Sequence, residues 1–200
     1  MKKKQIFKFI LAVFGACVLV LLDRLSKIWA ETVLRPNGPI TLIKGVLELQ
    51  WTKNEGIAFG LFQGMGIVFI ILTVLLSGVL VLFLFRIPAT KRFLPLNIIF
   101  TVILGGALGN LWDRVFQSYV TDFIYIKLIN FPIFNVADIC VSLGIVALLF
   151  YLLFFYKDKE LKEVFSLKKK KAEEEDSREE TVPAETAGEE DGKSPEEKTE

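Results

Sequence analysis

Four runs of the sequence, Ile6 to about Leu22, Ile67 to Phe85, Leu94 to about Trp112 and Ala137 to Tyr156, are long and apolar enough to cross a bilayer. Inside hydrocarbon every backbone N–H and C=O must find its partner within the chain, so a segment of this kind folds as a helix bonded to itself. The expected fold is therefore an α-helical polytopic membrane protein with four transmembrane helices. Composition agrees: 52% of the 200 residues are hydrophobic and the mean hydropathy is +0.48, although the segment after Lys157 is almost wholly polar. The lysines at 2–4 and the small residues Gly15-Ala16-Cys17 mimic a cleavable signal. The apolar run continues past Cys17 through Leu22, however, and Phe14 is a poor fit three residues before a cleaved cysteine, so a retained helix is expected.

Cations set the orientation. Lys2, Lys3, Lys4 and Lys8 precede or open the first run, Arg86, Lys91 and Arg92 crowd the short second connection, and Lys157 and Lys159 follow the last run. By the positive-inside rule that side is cytoplasmic, which places both termini inside and the longer connections, about 24–66 and 113–136, outside. Lys27, Arg35, Lys44 and Lys53 in the first outer connection are spread thinly and accompanied by glutamates, which weakens them as topology signals.

The outer segments carry structure of their own. Leu47-Glu48-Leu49-Gln50-Trp51-Thr52 alternates apolar and polar, and the β-prone Ile40 to Ile43 is separated from it by Lys44-Gly45, the pattern of a hairpin with one apolar face lying on the membrane surface or a lipid-like ligand. Asp122 to Lys127 also reads as a strand. The expected organisation is a four-helix membrane domain over 1–156 with a small periplasmic sheet or hairpin, and a charged, disordered cytoplasmic tail over 157–200.

Against this apolar background the carboxylates stand out. Asn110-Leu-Trp-Asp113 and Asn135-Val-Ala-Asp138 sit at the outer ends of two spans, Asp23 ends the first, and Asn54 and Asp122 lie in the outer connections. An acid at membrane depth costs roughly 2.5 to 3.5 kcal/mol even on lenient scales, so these residues are candidates for function. Each has a structural explanation taken singly. Asn135 is a plausible N-cap for the fourth helix with Asp138 at N3, and Asp23 can pair with Arg24 or with Lys27 one turn on. Four aspartates and three asparagines at one level exceed what capping explains.

Their neighbours divide them. Asp23 is followed by Arg24 and Lys27, and Asp113 by Arg114, so both have cations to hold them ionised; Asp122 and Asp138 have none within four residues. Two carboxylates close together in a poorly solvated site suppress each other's ionisation, leaving one as general base and the other as general acid. Placement at a helix N-terminus favours Asp138 as the one that ionises first. The chain has no histidine, which removes Ser-His-Asp, Cys-His and histidine-bearing metal chemistry. Cys17 and Cys140 lie inside apolar runs and are read as buried free thiols.

Asp23-Arg-Leu-Ser-Lys27, Asn54-Glu-Gly-Ile-Ala-Phe-Gly60, Gly105-Gly-Ala-Leu-Gly-Asn110-Leu-Trp-Asp113-Arg114, Thr121-Asp122-Phe-Ile and Phe134-Asn135-Val-Ala-Asp138 together resemble the lipoprotein signal peptidase family, also called signal peptidase II. The resemblance spans about Asp23 to Gly144. It implies an aspartic endopeptidase of the bacterial inner membrane that removes the signal peptide of a prolipoprotein, on the amino side of its diacylglyceryl-cysteine, at the periplasmic face. It implies Asp122 and Asp138 as the catalytic pair, with Asp23, Lys27, Asn54, Asn110, Asp113, Arg114 and Asn135 shaping the site and placing the substrate. Inhibition by globomycin-type antibiotics and contact with membrane lipids follow from the same likeness; no metal, cofactor or nucleic-acid partner is expected, and the protein is expected to be a monomer. Nothing in the resemblance accounts for the charged tail.

On the residues alone, Asn54, Asn110 and Asn135 are candidate donors to the substrate peptide or a developing oxyanion, and Trp51, Phe59 and Phe62 are candidate covers for it. Two rival readings compete. A proton-coupled transporter requires acids deep in the spans and a repeat between halves, and neither is evident. A carboxylate-bound Mg²⁺ site for phosphoryl chemistry would make activity sensitive to EDTA.

Overall fold

The computed structural model describes residues 3–56 and 66–155. Its four membrane-length helices are α1 (Lys3–Trp29), α3 (Gly66–Arg86), α4 (Leu94–Gln117) and α5 (Val136–Phe154). Between α1 and the first strand lies one further short helix, α2 (Arg35–Asn37). The segment 157–200, Phe59 and Phe62 lie outside the described residues.

α1 does not end near Leu22 as expected. It runs on through Asp23 and Lys27, passes through a π-helical turn at Ala30–Leu34 and continues as α2, so the start of the first outer connection is helical. Charge fails to stop the helix because Asp23 and Lys27, four residues apart, face the bundle interior and pair there at 2.7 Å. Gly38, in the left-handed region at φ 83°, ends the run.

α4 is the central helix. Half of its most apolar window is buried, against 11% for each of the other three, and it packs on α1, α3 and α5. The remaining helices turn broad apolar surfaces outward, such as Leu75 and Leu82 of α3 and Val146 and Leu153 of α5, as helices facing lipid do. Glycines set the close approaches. A Cβ on Gly106 would lie 2.5 Å from the carbonyl oxygen of Ala137, and one on Gly105 would lie 2.8 Å from the Leu19 Cβ, so α5 and α1 can approach α4 only because these positions carry no side chain. At the end of the bundle holding the N-terminus of α1, Lys8 Nζ donates to the carbonyls of Leu84 and Ile87 at 2.5 and 2.6 Å, and Gln5 Nε2 to those of Phe85 and Ile87, satisfying the end of α3.

The expected hairpin is present and gains a third strand. β1 (Ile40–Ile43), β2 (Leu47–Asn54) and β3 (Val120–Ile126) form an antiparallel sheet in the order β1-β2-β3, with Gly45 at φ 75° in the β1–β2 turn. Its apolar side chains are covered on β2 and β3, while Ile40, Leu42 and Ile43 of β1 stay exposed. Leu49 and Trp51 of β2 pack with Phe123 of β3 onto Ala30 and Leu34, so the extended end of α1 supports the sheet.

Candidate functional site

Two local devices bring the outer polar residues together. β2 carries one extra residue between Leu49 and Thr52, a bulge that sets Thr52 opposite Asp122 and Asn54 opposite Val120. The Asn54 side chain then reaches diagonally to Asp122. On the other side of β3, Ile124 and Phe134 exchange backbone hydrogen bonds, 2.8 Å from the Ile124 N–H and 3.0 Å from the Phe134 N–H. That bridge clamps the chain just before Asn135 beside Asp122.

Asn135 is the N-cap of α5, as expected, extended at φ −132° and ψ −178°, and with Asp138 at N3 it forms a capping box. Its Oδ1 accepts from the Asp138 N–H at 3.0 Å, and Asp138 Oδ2 accepts from the Asn135 N–H at 3.1 Å. Both protons of the Asn135 amide are also in use, donating to Asp122 Oδ1 at 2.6 Å and to Asn110 Oδ1 at 3.1 Å. Asn54 Nδ2 donates to Asp122 Oδ2 at 2.8 Å, and Asn110 Nδ2 donates to Asp138 Oδ1 at 2.7 Å. The three asparagines read above as substrate or oxyanion donors thus hold the two carboxylates. Asn135 has no amide proton left to offer; among the described residues Asn54 and Asn110 each keep one.

Beneath this layer lies a buried ionic cluster. Lys27, with no exposed surface, places Nζ 2.7 Å from Asp23 Oδ2, 2.9 Å from Asp113 Oδ2 and 3.0 Å from Asn110 Oδ1, one acceptor for each ammonium proton. Asp113 also takes Arg24 at 2.7 Å, and Asp23 accepts the Ala137 N–H at 2.9 Å. Asp23 therefore pairs with Lys27 and not with Arg24. The expected Asp113–Arg114 pairing does not form either, because neighbours on a helix point about 100° apart: Arg114 leaves Asp113 to α1, donates weakly to the Asn110 carbonyl at 3.4 Å and lies over the Phe69 ring of α3.

Asp122 and Asp138 differ from Asp23 and Asp113 in having no ion-pair partner among the described residues. Asp122 is 1% exposed, and burial, reinforced by the nearby charge of Asp138, pushes its pKa up to about 7 from 3.8. Asp138 is only half-buried. The arrangement holds one carboxyl protonated near neutrality beside a second that reaches solvent, which is the state needed to take a proton from water at one group and give one at the other.

One member of the cluster escaped the sequence reading. Glu31, in the π-turn, accepts from Thr121 Oγ1 at 2.6 Å, tying α1 to the residue before Asp122. Its signal was its place four residues after Lys27 and eight after Asp23, a spacing obscured once the helix was ended at Leu22.

Fold and site together define a four-helix membrane protein with a paired-carboxylate centre at one end of the bundle, the class that includes membrane aspartic peptidases. A family model described as Signal peptidase (SPase) II matches residues 15–154. Among similar curated proteins are lipoprotein signal peptidases of Clostridium novyi, 37% identical over 72% of this chain and 95% of that protein, and of Caldicellulosiruptor bescii, 38% identical over 74% and 91%. Two bacterial membrane enzymes solved by the in meso method, at 2.3 and 1.9 Å resolution, superpose with TM-scores of 0.63 and 0.62 at 28% identity, over 71% and 72% of this chain and 87% and 94% of theirs. The chain belongs to the signal peptidase II family.

Proposed function

We propose that Asp122 and Asp138 are the catalytic pair of an endopeptidase that cleaves prolipoproteins on the amino side of a diacylglyceryl-modified cysteine. The observation that carries this reading is the single Asn135 side chain that donates to one unpaired carboxylate and accepts the backbone N–H of the other, fixing both at the mouth of the bundle. Asp138 takes a proton from water as the water oxygen attacks the scissile carbonyl carbon. Asp122 gives its proton to the carbonyl oxygen, forming a tetrahedral diol; as the C–N bond breaks, the departing amine takes the proton held by Asp138 and Asp122 recovers one from a diol hydroxyl. The raised pKa of Asp122 supports its assignment as the acid.

The roles of the other residues follow from what they touch. Asn54, Asn110 and Asn135 position the carboxylates, while Lys27, Asp23, Asp113 and Arg24 brace the Asn110 and Ala137 ends of that frame. Arg114 borders a cleft of about 330 Å³ between α3 and α4, together with Glu55 and Ser118, which suits it to the substrate's peptide. The cationic end of the bundle faces the cytoplasm by the positive-inside rule, which puts the site at the outer face of the cell's inner membrane, level with a scissile bond whose lipid tails lie in the bilayer. Membrane lipids surround a monomer, and globomycin-type inhibitors compete for the groove.

Replacing Asp122 or Asp138 by Asn, one at a time, is expected to abolish cleavage of a lipidated precursor in detergent while leaving expression and membrane insertion unchanged. Processing retained in either variant removes that residue from the pair.

A further inference from the structure

Asn54 and Asn135 hold the head of the Asp122 side chain, but a carboxylate is aimed from its root as well, and this root lies beside a break in the sheet. The β2 bulge interrupts the ladder between the Thr52–Asp122 and Leu49–Ile124 pairs, so regular strand pairing does not by itself fix the backbone there. On the far flank the N–H groups of Phe123 and Ile124 both donate to the Phe134 carbonyl. On the near flank the anchor is Thr121, which has no exposed surface and gives both of its donors to acids. Its N–H reaches Asp113 Oδ2 at 3.3 Å, and its hydroxyl reaches Glu31 Oε1 at 2.6 Å.

The Glu31 contact is short and is part of a closed circuit. A hydroxyl donating to a carboxylate at this distance falls in the charge-assisted range, about 2.5–2.7 Å. Threonine has a single hydroxyl proton and a stiff, β-branched χ1, so the acceptor chosen by that proton sets the Thr121 rotamer. Gln117 extends the contact: with its carboxamide oxygen accepting from Arg24 at 2.6 Å, its nitrogen donates to Glu31 Oε1 at 3.1 Å. Arg24 in turn pairs with Asp113. Asp113, Arg24, Gln117, Glu31 and Thr121 thus form a ring that joins α1, α4 and β3. Glu31 sits in the π-turn Ala30–Leu34, a helical irregularity of the kind frequent at functional sites, and the cleavage steps give it no role.

We propose that Glu31 is a positioning residue for the Asp122 carboxyl: acting through the Thr121 hydroxyl, it fixes the strand from which that carboxyl projects. Glu31 does not touch the reacting atoms. The inference rests on Asp122 being the catalytic acid. Loss of Glu31 lets the acid drift from the scissile carbonyl and leaves the surfaces that bind the substrate unchanged, so turnover falls and KM does not.

The test is steady-state cleavage of a lipidated precursor by the full chain in detergent. Misplacing a reacting group by about 1 Å can cost roughly 100-fold, so Glu31→Ala and Thr121→Val are each expected to lower kcat on the order of tenfold. KM should stay within about twofold, as when an interaction made only in the transition state is lost. The double variant should be no slower than the slower single one, because both changes break one hydrogen bond. Glu31→Gln keeps an oxygen acceptor and should recover most of the rate. Lys127→Gln, which breaks an exposed tie to Glu48 on the same sheet, should leave kcat unchanged. Thermal unfolding shows which variants are folded; should Glu31→Ala not fold, Thr121→Val, which removes only the hydroxyl, decides alone. A wild-type kcat in Glu31→Ala or in Thr121→Val overturns the proposal, as do additive losses in the double variant, a loss confined to KM, or a Glu31→Gln variant as slow as Glu31→Ala. Asp122→Asn is assayed alongside. If it still cleaves, the assignment of Asp122 fails; if it is inactive while Glu31→Ala runs at full speed, only the role of Glu31 fails.

Discussion

Asn135 and Asp122 meet at 2.6 Å, the carboxamide donating to a carboxylate thirteen positions earlier in the chain, while the same side chain caps the helix that carries Asp138. One residue therefore does two separable jobs. Asn135→Asp keeps an N-cap acceptor but replaces the donor by an anion, whereas Asn135→Ala loses both. Asn135→Ala is expected to lower stability by about 1 kcal/mol through the cap. Both variants should slow precursor cleavage on the order of 100-fold through misplacement of the carboxylates. Unfolding by denaturant together with a cleavage assay separates the two effects; an Asp variant as active as wild type would detach Asn135 from the site.

The protonation of Asp122 predicts a pH signature. Its carboxyl has a pKa of about 7 in the folded chain against 3.8 for the free side chain. Between those values the folded state holds a proton that the unfolded state has released, so stability falls as pH rises from about 4 to about 7 and then levels off. Asp122→Asn should flatten that decline. Cleavage by the wild type should fall as pH rises through about 7, when the acid loses its proton. An alkaline limb absent below pH 9 would assign the acid elsewhere.

Lys27→Met keeps the length of the stem but leaves Asp23 and Asp113 facing each other with Arg24 alone to offset them. The expected loss is about 3–5 kcal/mol, the cost of stranding buried charge. A loss of about 1 kcal/mol or less, typical of an exposed pair, would show that water reaches the cluster.

Gly106→Ala and Gly78→Ala make the same chemical change with opposite expected signs. At Gly78 the new Cβ meets nothing within 4 Å, and the gain in helix propensity is about 0.5–1 kcal/mol. At Gly106 it would lie 2.5 Å from a backbone oxygen, which forces α5 away from α4 at a cost of roughly 1–3 kcal/mol. Thermal shifts in the same direction for both would contradict the close packing.

The spans, the strands and the Asn135–Asp138 cap were legible because each is written in local periodicity or spacing. The continuation of α1 was not. Asp23, Arg24 and Lys27 look like the end of a membrane segment, and only partners supplied by Asn110, Asp113 and Ala137, more than eighty residues away, make them interior. The same holds for Asp113, whose adjacent Arg114 offered a false partner. The identities of the site residues were readable in the chain, but the division of labour was not: that the asparagines spend their donors on carboxylates depends on the β2 bulge and the Ile124–Phe134 bridge, neither of which has a sequence signal of its own.

The single rod that begins at Lys3 contributes Asp23 and Lys27 to the ionic floor, Glu31 to Thr121 beside Asp122, and Ala30 and Leu34 to the underside of the sheet. These contacts lie on one helix at different heights, so their phasing is shared. The π-turn widens one revolution and adjusts that phase between floor and sheet. Inserting or deleting one residue between Lys27 and Glu31 would swing everything beyond it by about 100°, uncoupling the upper storey from the lower while every individual side chain stayed in the sequence.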